Sequence, residues 1–135
     1  MDDALRELYT VALSRKRTPA EGSYTCYLFR EGLDKILKKC GEECAETIIA
    51  AKNLAAAEAI AAAGREETAC GRADRAAGPA RARADLENEL CDLLYHLLVL
   101  MAERDIPLEN IESILRERSK KIGNLKQPRA ADRDT

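Results

Sequence analysis

The stretch LCDLLYHLLVLM, residues 90–101, decides the fold of this chain. Apart from Asp92 and His96, it is apolar around the whole circumference of a helix. A helix of that composition is buried on every side, inside a bundle or an oligomer. In a chain of only 135 residues, full burial indicates that a second subunit covers part of this helix.

The composition of the whole chain also favours helices. Alanine and leucine dominate, aromatic residues make up only 4%, and tryptophan is absent. Such a composition favours helices over strands, and the length allows one domain with a core. We therefore predict an all-α bundle of four to five helices, packed within a homo-oligomer.

The hydrophobic periodicity gives the expected helix boundaries. A single domain should span residues 1–122, followed by a polar tail, 123–135, that is expected to be disordered. Residues 17–25 are predicted to form a loop, and residues 54–83 an insertion that is rich in alanine and arginine. The start of this insertion should extend the second helix, and the rest should be a low-complexity connection. The predicted helices are 3–16, one that begins within 26–34 and runs past Asn53, 84–104 and 107–120.

Charge and hydropathy exclude several classes of function. The net charge is −2, so bulk positive charge does not drive nucleic-acid binding. The longest apolar stretch, residues 97–102, is too short to cross a membrane, and the N-terminus shows no signal peptide. The five cysteines form no CxxC pair. We therefore predict that they act as small buried hydrophobic residues in a reducing cytoplasm.

Two acidic stripes stand out against the apolar pattern. Around the axis of the helix at 84–104, Glu89, Asp92 and His96 fall within about 60° of one another. Glu43 and Glu46 lie three residues apart on the preceding helix. The two stripes can face each other if these helices pack antiparallel.

Carboxylates gathered inside a bundle require a compensating cation. Two of them about 5–6 Å apart repel by roughly 3 kcal/mol at an effective dielectric constant near 20. Several such pairs would consume the net stability of a small domain, which is about 5–15 kcal/mol. Oxygen ligands alone select a hard ion, so the pattern favours Mg²⁺, with Mn²⁺ as the other possibility.

An ordinary alternative remains for part of this set. Glu42, Glu43 and Glu46 alone fit a solvated helix face, where like charges cost only about 0.2–0.5 kcal/mol per pair. Asp92, inside a wholly apolar segment, fits that interpretation poorly. His96 could orient a carboxylate or a substrate, or be a core histidine with satisfied hydrogen bonds.

Magnesium held by several carboxylates commonly serves to bind phosphates. Lys35 and Lys39 lie upstream of Glu43 and Glu46, on the same side of their helix, where they could contact phosphate oxygens. The alternative for each lysine is a surface ion pair, such as Lys39 with Glu43. The residues thus predict a soluble hydrolase of phosphorylated nucleotides.

The acidic motifs carry a resemblance to a known family. Residues 42–46 read EExxE and residues 89–92 read ExxD, a pair that resembles the all-α MazG-type nucleoside triphosphate pyrophosphohydrolases. More narrowly, residues 23–53, SYTCYLFREGLDKILKKCGEECAETIIAAKN, are similar to phosphoribosyl-ATP pyrophosphatases. The resemblance covers residues 5–53 and 85–120, and the family joins its two acidic motifs by a shorter connection.

This resemblance implies Mg²⁺-dependent hydrolysis of phosphoribosyl-ATP to phosphoribosyl-AMP and pyrophosphate, the second step of histidine biosynthesis, by a homodimer or higher homo-oligomer. It implies that Glu42 assists catalysis with Glu43, as an accessory ligand or by positioning water. The implied metal ligands are Glu43, Glu46, Glu89 and Asp92. The implied substrate-binding residues are Ser23, Tyr24, Thr25, Lys35 and Lys39. Two alternatives stay open: a broader nucleoside triphosphate pyrophosphohydrolase that cleanses the nucleotide pool, and a non-catalytic helical oligomerisation module.

Overall fold

The described residues of the chain fold into five α-helices. The computed structural model describes residues 2–64 and 69–121, and side chains only in 4–64 and 78–121. This arrangement confirms the all-α prediction, while the predicted tail, 123–135, lies outside the described residues. The helices are α1 (Asp2–Arg17), α2 (Tyr24–Glu31), α3 (Leu33–Ala63), α4 (Ala69–Glu103) and α5 (Leu108–Ser119).

A glycine separates α2 from α3, where the periodicity had predicted one helix from within 26–34 onward. Gly32 adopts φ +92°, a backbone conformation that side chains other than glycine's rarely accept. Ser23 begins α2 as its N-cap, since its Oγ accepts a hydrogen bond from the backbone N–H of Cys26 at 3.3 Å. The predicted loop is therefore shorter than 17–25, because α2 already begins at Tyr24.

The prediction that the start of residues 54–83 extends the second helix was confirmed, whereas the predicted low-complexity connection after it was wrong for most of its length. Helix α3 continues to Ala63, and α4 begins at Ala69 rather than near residue 84. Thirteen of the thirty residues in 54–83 are alanine and five are arginine, both strong helix formers. Their combined propensity outweighs Gly78 and Pro79, and Pro79 lies inside α4. Residues 65–68 are outside the described part of the chain.

Helices α3 and α4 pack antiparallel along their length. Toward the N-terminal end of α3 and the C-terminal end of α4, Glu43 lies beside His96, with 3.7 Å between Oε1 and Nδ1. Further along, Glu58 of α3 pairs with Arg83 of α4 at 2.7 Å. This pairing direction is what allows the two acidic stripes to face each other.

Two clusters of buried side chains form the core. One cluster joins α1, α4 and the start of α5, and the other joins α2, α3 and α4. Both use the C-terminal half of α4, so that this helix connects the two parts of the bundle. The first cluster consists of Tyr9, Ala12, Leu98, Ala102 and Leu108. The second consists of Leu28, Ile36 and Val99.

Within one chain, α4 is not buried on every side. Leu90, Leu94 and Leu97 keep 43%, 46% and 40% of their surface exposed. The prediction of buried cysteines also needs correction, since Cys44 and Cys91 are exposed: both lie on helix faces that no other described helix covers. None of the described helices has the length and apolar character needed to cross a membrane.

The C-terminal end of α4 is held by a lysine from α1. The ammonium group of Lys16 donates hydrogen bonds to the carbonyl oxygens of Ala102 and Glu103, at 2.9 and 3.1 Å. It also pairs with the Asp105 carboxylate at 2.9 Å. A cation at this position satisfies carbonyls that have no partner within the helix and interacts favourably with the helix dipole.

Replacing Lys16 with methionine should lower the free energy of unfolding by about 1–2 kcal/mol, because charge-assisted bonds to these carbonyls are lost. Urea unfolding measures this change. Lys120→Met is the matched control, since Lys120 forms only an exposed pair with Glu117 and its loss should have little effect. Equal stability of the two variants would contradict this role of Lys16.

Candidate functional site

Three of the four predicted metal ligands meet between α3 and α4. One carboxylate oxygen from each of Glu43, Glu46 and Glu89 lies within 4.8 Å of the other two. Glu43 is buried, Glu89 is partly buried and Glu46 is exposed. Asp92 lies one turn along α4 from Glu89 and is not part of this group of three.

The carboxylates are less buried than the sequence predicted: Glu43 is buried, but Glu46 and Asp92 are exposed. Burial raises the pKa of the Glu89 carboxyl, and the charges of Glu46, Glu43 and Asp92 raise it further. Oxygen donors that are partly withdrawn from water and repel one another are the donor set that a hard divalent cation fits. Glu43, Glu46 and Glu89 could therefore hold Mg²⁺, and Asp92 is near enough for its charge to act on Glu89.

Lysines of α3 neutralise part of the acidic charge. The Lys39 ammonium lies 3.1 Å from Glu43 and 3.0 Å from Glu42, whereas Lys38 lies 3.4 Å from Glu42. The hydrogen bond from Lys39 lowers the pKa of the Glu42 carboxyl, and its bonds to both glutamates raise its own pKa. The ion-pair alternative for Lys39 is thus observed, and its contact with substrate phosphate stays a prediction.

His96 connects the cluster to an exposed tyrosine. Its Nδ1 lies 2.8 Å from the backbone oxygen of Asp92. Since a carbonyl oxygen can only accept, Nδ1 carries a hydrogen and donates a hydrogen bond to it. Its Nε2 lies 3.2 Å from the hydroxyl of Tyr24, within hydrogen-bonding distance. The sequence left open whether His96 is a core or an orienting histidine, and both descriptions apply: it is buried and holds Tyr24.

The SYT segment divides into two structural residues and one that faces outward. Ser23 caps α2, and the buried Thr25 hydroxyl lies 2.7 Å from the hydroxyl of Tyr95. Tyr24 keeps 44% of its surface exposed. Of the predicted substrate-binding residues in this segment, Tyr24 is therefore the most exposed to solvent.

A cavity of about 340 Å³ adjoins the carboxylates between α3 and α4. It is lined by Glu46, Ile49, Ala50, Asn53, Ala82, Asp85, Asn88 and Glu89. The prediction missed its polar residues Asn53, Asp85 and Asn88. The signal was available, because Asp85 is one turn before Glu89 and Asn53 is two turns after Glu46 on their helices.

The fold and the site together define a class. The protein is an all-α bundle in which an antiparallel helix pair brings together carboxylates that could hold a divalent cation beside exposed aromatic and basic groups. The sequence comparisons name a family within this class.

The family model described as "Phosphoribosyl-ATP pyrophosphohydrolase" matches residues 5–119, and the chain belongs to that family. A protein named phosphoribosyl-ATP pyrophosphatase from Clostridium novyi is 42% identical over 127 residues, covering 94% of this chain and 91% of the relative. The protein of that name from Clostridium acetobutylicum is 43% identical over 128 residues, with coverage of 95% and 92%. The one from Listeria innocua is 46% identical over 118 residues, with 87% of both chains covered.

Neutralising one carboxylate should separate the repulsion from the metal affinity. Glu89→Gln removes a charge whose pKa is raised in the folded protein, so the variant should melt at a higher temperature than the parent in EDTA. Millimolar Mg²⁺ should raise the melting temperature of the parent and have much less effect on the variant. Differential scanning calorimetry measures both. A variant that responds to Mg²⁺ as fully as the parent would show that Glu89 does not contribute to the site.

Proposed function

We propose that this protein hydrolyses phosphoribosyl-ATP to phosphoribosyl-AMP and pyrophosphate in a Mg²⁺-dependent reaction of histidine biosynthesis. The observation that carries the proposal is the meeting of Glu43, Glu46 and Glu89 within 4.8 Å in a chain of this family. The names of the relatives indicate phosphoribosyl-ATP as the substrate, and the cluster of carboxylates supports a metal requirement.

The proposed ligands are Glu43, Glu46, Glu89 and Asp92. A Mg²⁺ ion held there would neutralise charge on phosphate oxygens and lower the pKa of a bound water. Lys39 and His96 lie against Glu43 and limit the positions that its carboxylate can take. A ligand that is fixed before substrate arrives needs less reorganisation during the reaction.

Glu42 is proposed to orient the attacking water. Its hydrogen bond from Lys39 lowers the pKa of its carboxyl, which keeps it ionised and able to accept a hydrogen bond from that water. During hydrolysis the water oxygen forms a bond to phosphorus and the anhydride bond between the α- and β-phosphates breaks. The electron pair of that bond leaves on the departing phosphate oxygen, and the proton that the water gives up passes to solvent.

We also propose that the chain works as a homodimer or higher homo-oligomer in the cytoplasm. The exposed face of α4 at Leu90, Leu94 and Leu97 is apolar, and contiguous exposed apolar surface is typical of subunit interfaces. A second copy of the chain would bury these leucines and complete the burial expected of α4. The described cysteines are free thiols, which is consistent with a reducing compartment.

The direct test measures pyrophosphate release from phosphoribosyl-ATP and from a panel of ordinary nucleoside triphosphates, each with Mg²⁺ and with EDTA. We expect rapid, Mg²⁺-dependent release from phosphoribosyl-ATP and much slower release from the panel. Equal rates on the panel would instead favour a broader pyrophosphohydrolase, and no release from any substrate would favour a non-catalytic oligomerisation module.

A matched pair of variants distinguishes the loss of a site carboxylate from the loss of any negative charge on α4. Asp92→Asn should lower turnover more than the roughly 10–100-fold typical of losing a partner outside the ligand shell. Glu87→Gln removes a similar charge from an exposed site on the other side of α4 and should leave turnover unchanged. Equal turnover by the two variants would remove Asp92 from the site.

Leu94→Glu should disrupt the proposed oligomer, because it places an unpaired charge in an apolar interface. Sedimentation equilibrium should show the dissociation constant raised by at least about 100-fold, while circular dichroism shows the helices retained. A variant that associates as strongly as the parent would place the interface elsewhere on the chain.

A further inference from the structure

A pair of cations surrounds an aromatic ring at the junction of α2 and α3. The guanidinium carbon of Arg30 and the ammonium nitrogen of Lys35 each lie 5.7 Å from the centre of the Tyr27 ring. A cation at this distance from an aromatic face is attracted by the electrons of the ring. Both cations thus pack against the same ring.

Within the described side chains, Arg30 and Lys35 differ from Lys38 and Lys39 in having no carboxylate partner. Lys38 and Lys39 are both paired with glutamates. Among the residues whose side chains the structure describes, no carboxylate oxygen lies within 4.0 Å of the charged groups of Arg30 or Lys35. Positive charges that adjoin one ring and have no carboxylate partner are available to bind an anion, above all a phosphate.

The cation pair is connected to the carboxylate cluster by aromatic rings. Tyr24 stacks on Tyr27 with ring centres 5.9 Å apart, and its hydroxyl reaches His96, which adjoins Glu43. Along α3, Lys35 precedes Glu43 by eight residues, a rise of about 12 Å. A nucleotide that carries phosphates at both ends would place its base over the tyrosines, between the two charged regions.

The distribution of charge favours a nucleotide that extends from the carboxylates toward Arg30 and Lys35 rather than toward the opposite end of α3. On the far side of the cluster, the cavity between α3 and α4 adds Asp85 to Glu46 and Glu89. That accumulation of negative charge disfavours a second phosphate there. Arg30 and Lys35, at the other end, favour it.

We propose that Arg30 and Lys35 bind the phosphomonoester on the second ribose of phosphoribosyl-ATP, while the rings of Tyr24 and Tyr27 contact its base. The inference rests on the proposed function and adds to it the origin of specificity. Ordinary nucleoside triphosphates carry phosphate at one end only and leave this cation pair unused. The pair therefore discriminates phosphoribosyl-ATP from ATP.

The test compares Arg30→Gln, Lys35→Gln and the double variant with the parent. KM for phosphoribosyl-ATP should rise about tenfold for each lost charge-assisted contact, with kcat changed by less than about twofold. The inhibition constant of ATP, added as a competitor, should stay unchanged. Lys52→Gln and Arg104→Gln are the matched controls, because both residues are exposed and Lys52 lies on the other side of α3; neither should change KM.

Two results would overturn the inference. An equal rise in KM for phosphoribosyl-ATP and in the inhibition constant of ATP would place the two cations at the triphosphate. An unchanged KM in the double variant would show that they bind no part of the substrate.

Titration with ribose 5-phosphate separates this inference from the proposed function. Binding followed by tyrosine NMR signals should occur in the parent and be lost in the double variant, even if the parent releases no pyrophosphate. Failure of hydrolysis with binding retained would reject only the proposed function. Ribose 5-phosphate that binds the parent and the double variant equally would reject the second phosphate site.

Discussion

The mutual repulsion of carboxylates between α3 and α4 is the constraint on which the candidate site depends. Antiparallel packing brings Glu89 within 4.8 Å of Glu43 and Glu46, and the nearby negative charges add to burial in raising the pKa of Glu89. The hydrophobic cluster of Leu28, Ile36 and Val99 holds α3 against α4 despite that repulsion. A divalent cation bound by these carboxylates would offset their repulsion and would therefore stabilise the folded state.

The surroundings of the cluster divide into regions of opposite charge. Toward the N-terminal end of α3 lie tyrosines, Arg30 and Lys35, and toward its C-terminal end lies a cavity that contains Asp85. His96 belongs to both the core and the site, because its two ring nitrogens bond to the α4 backbone and to Tyr24. Under the proposed function, this arrangement would favour one orientation of a nucleotide relative to the carboxylates.

Helical periodicity predicted much of this arrangement, since it fixes which residues of one helix share a face. Periodicity predicted that Glu43 and Glu46 share one side of their helix. It also predicted that Glu89 lies on the apolar helix that faces them. The break at Gly32 could not, because a glycine within a helical pattern either continues the helix or adopts positive φ. The helix that begins at Ala69 was missed since alanine and arginine compete there with glycine and proline. Contacts between helices, such as Tyr24 with His96, depend on tertiary packing that periodicity does not contain.

The most direct test of this account is diffraction from crystals grown with Mn²⁺ in place of Mg²⁺. The anomalous difference map should show a peak between α3 and α4, with oxygens of Glu43, Glu46 and Glu89 at about 2 Å from the ion. Crystals saturated with Mn²⁺ that show no peak among these carboxylates, or peaks only at other surface positions, would contradict the claim that this cluster is a metal site.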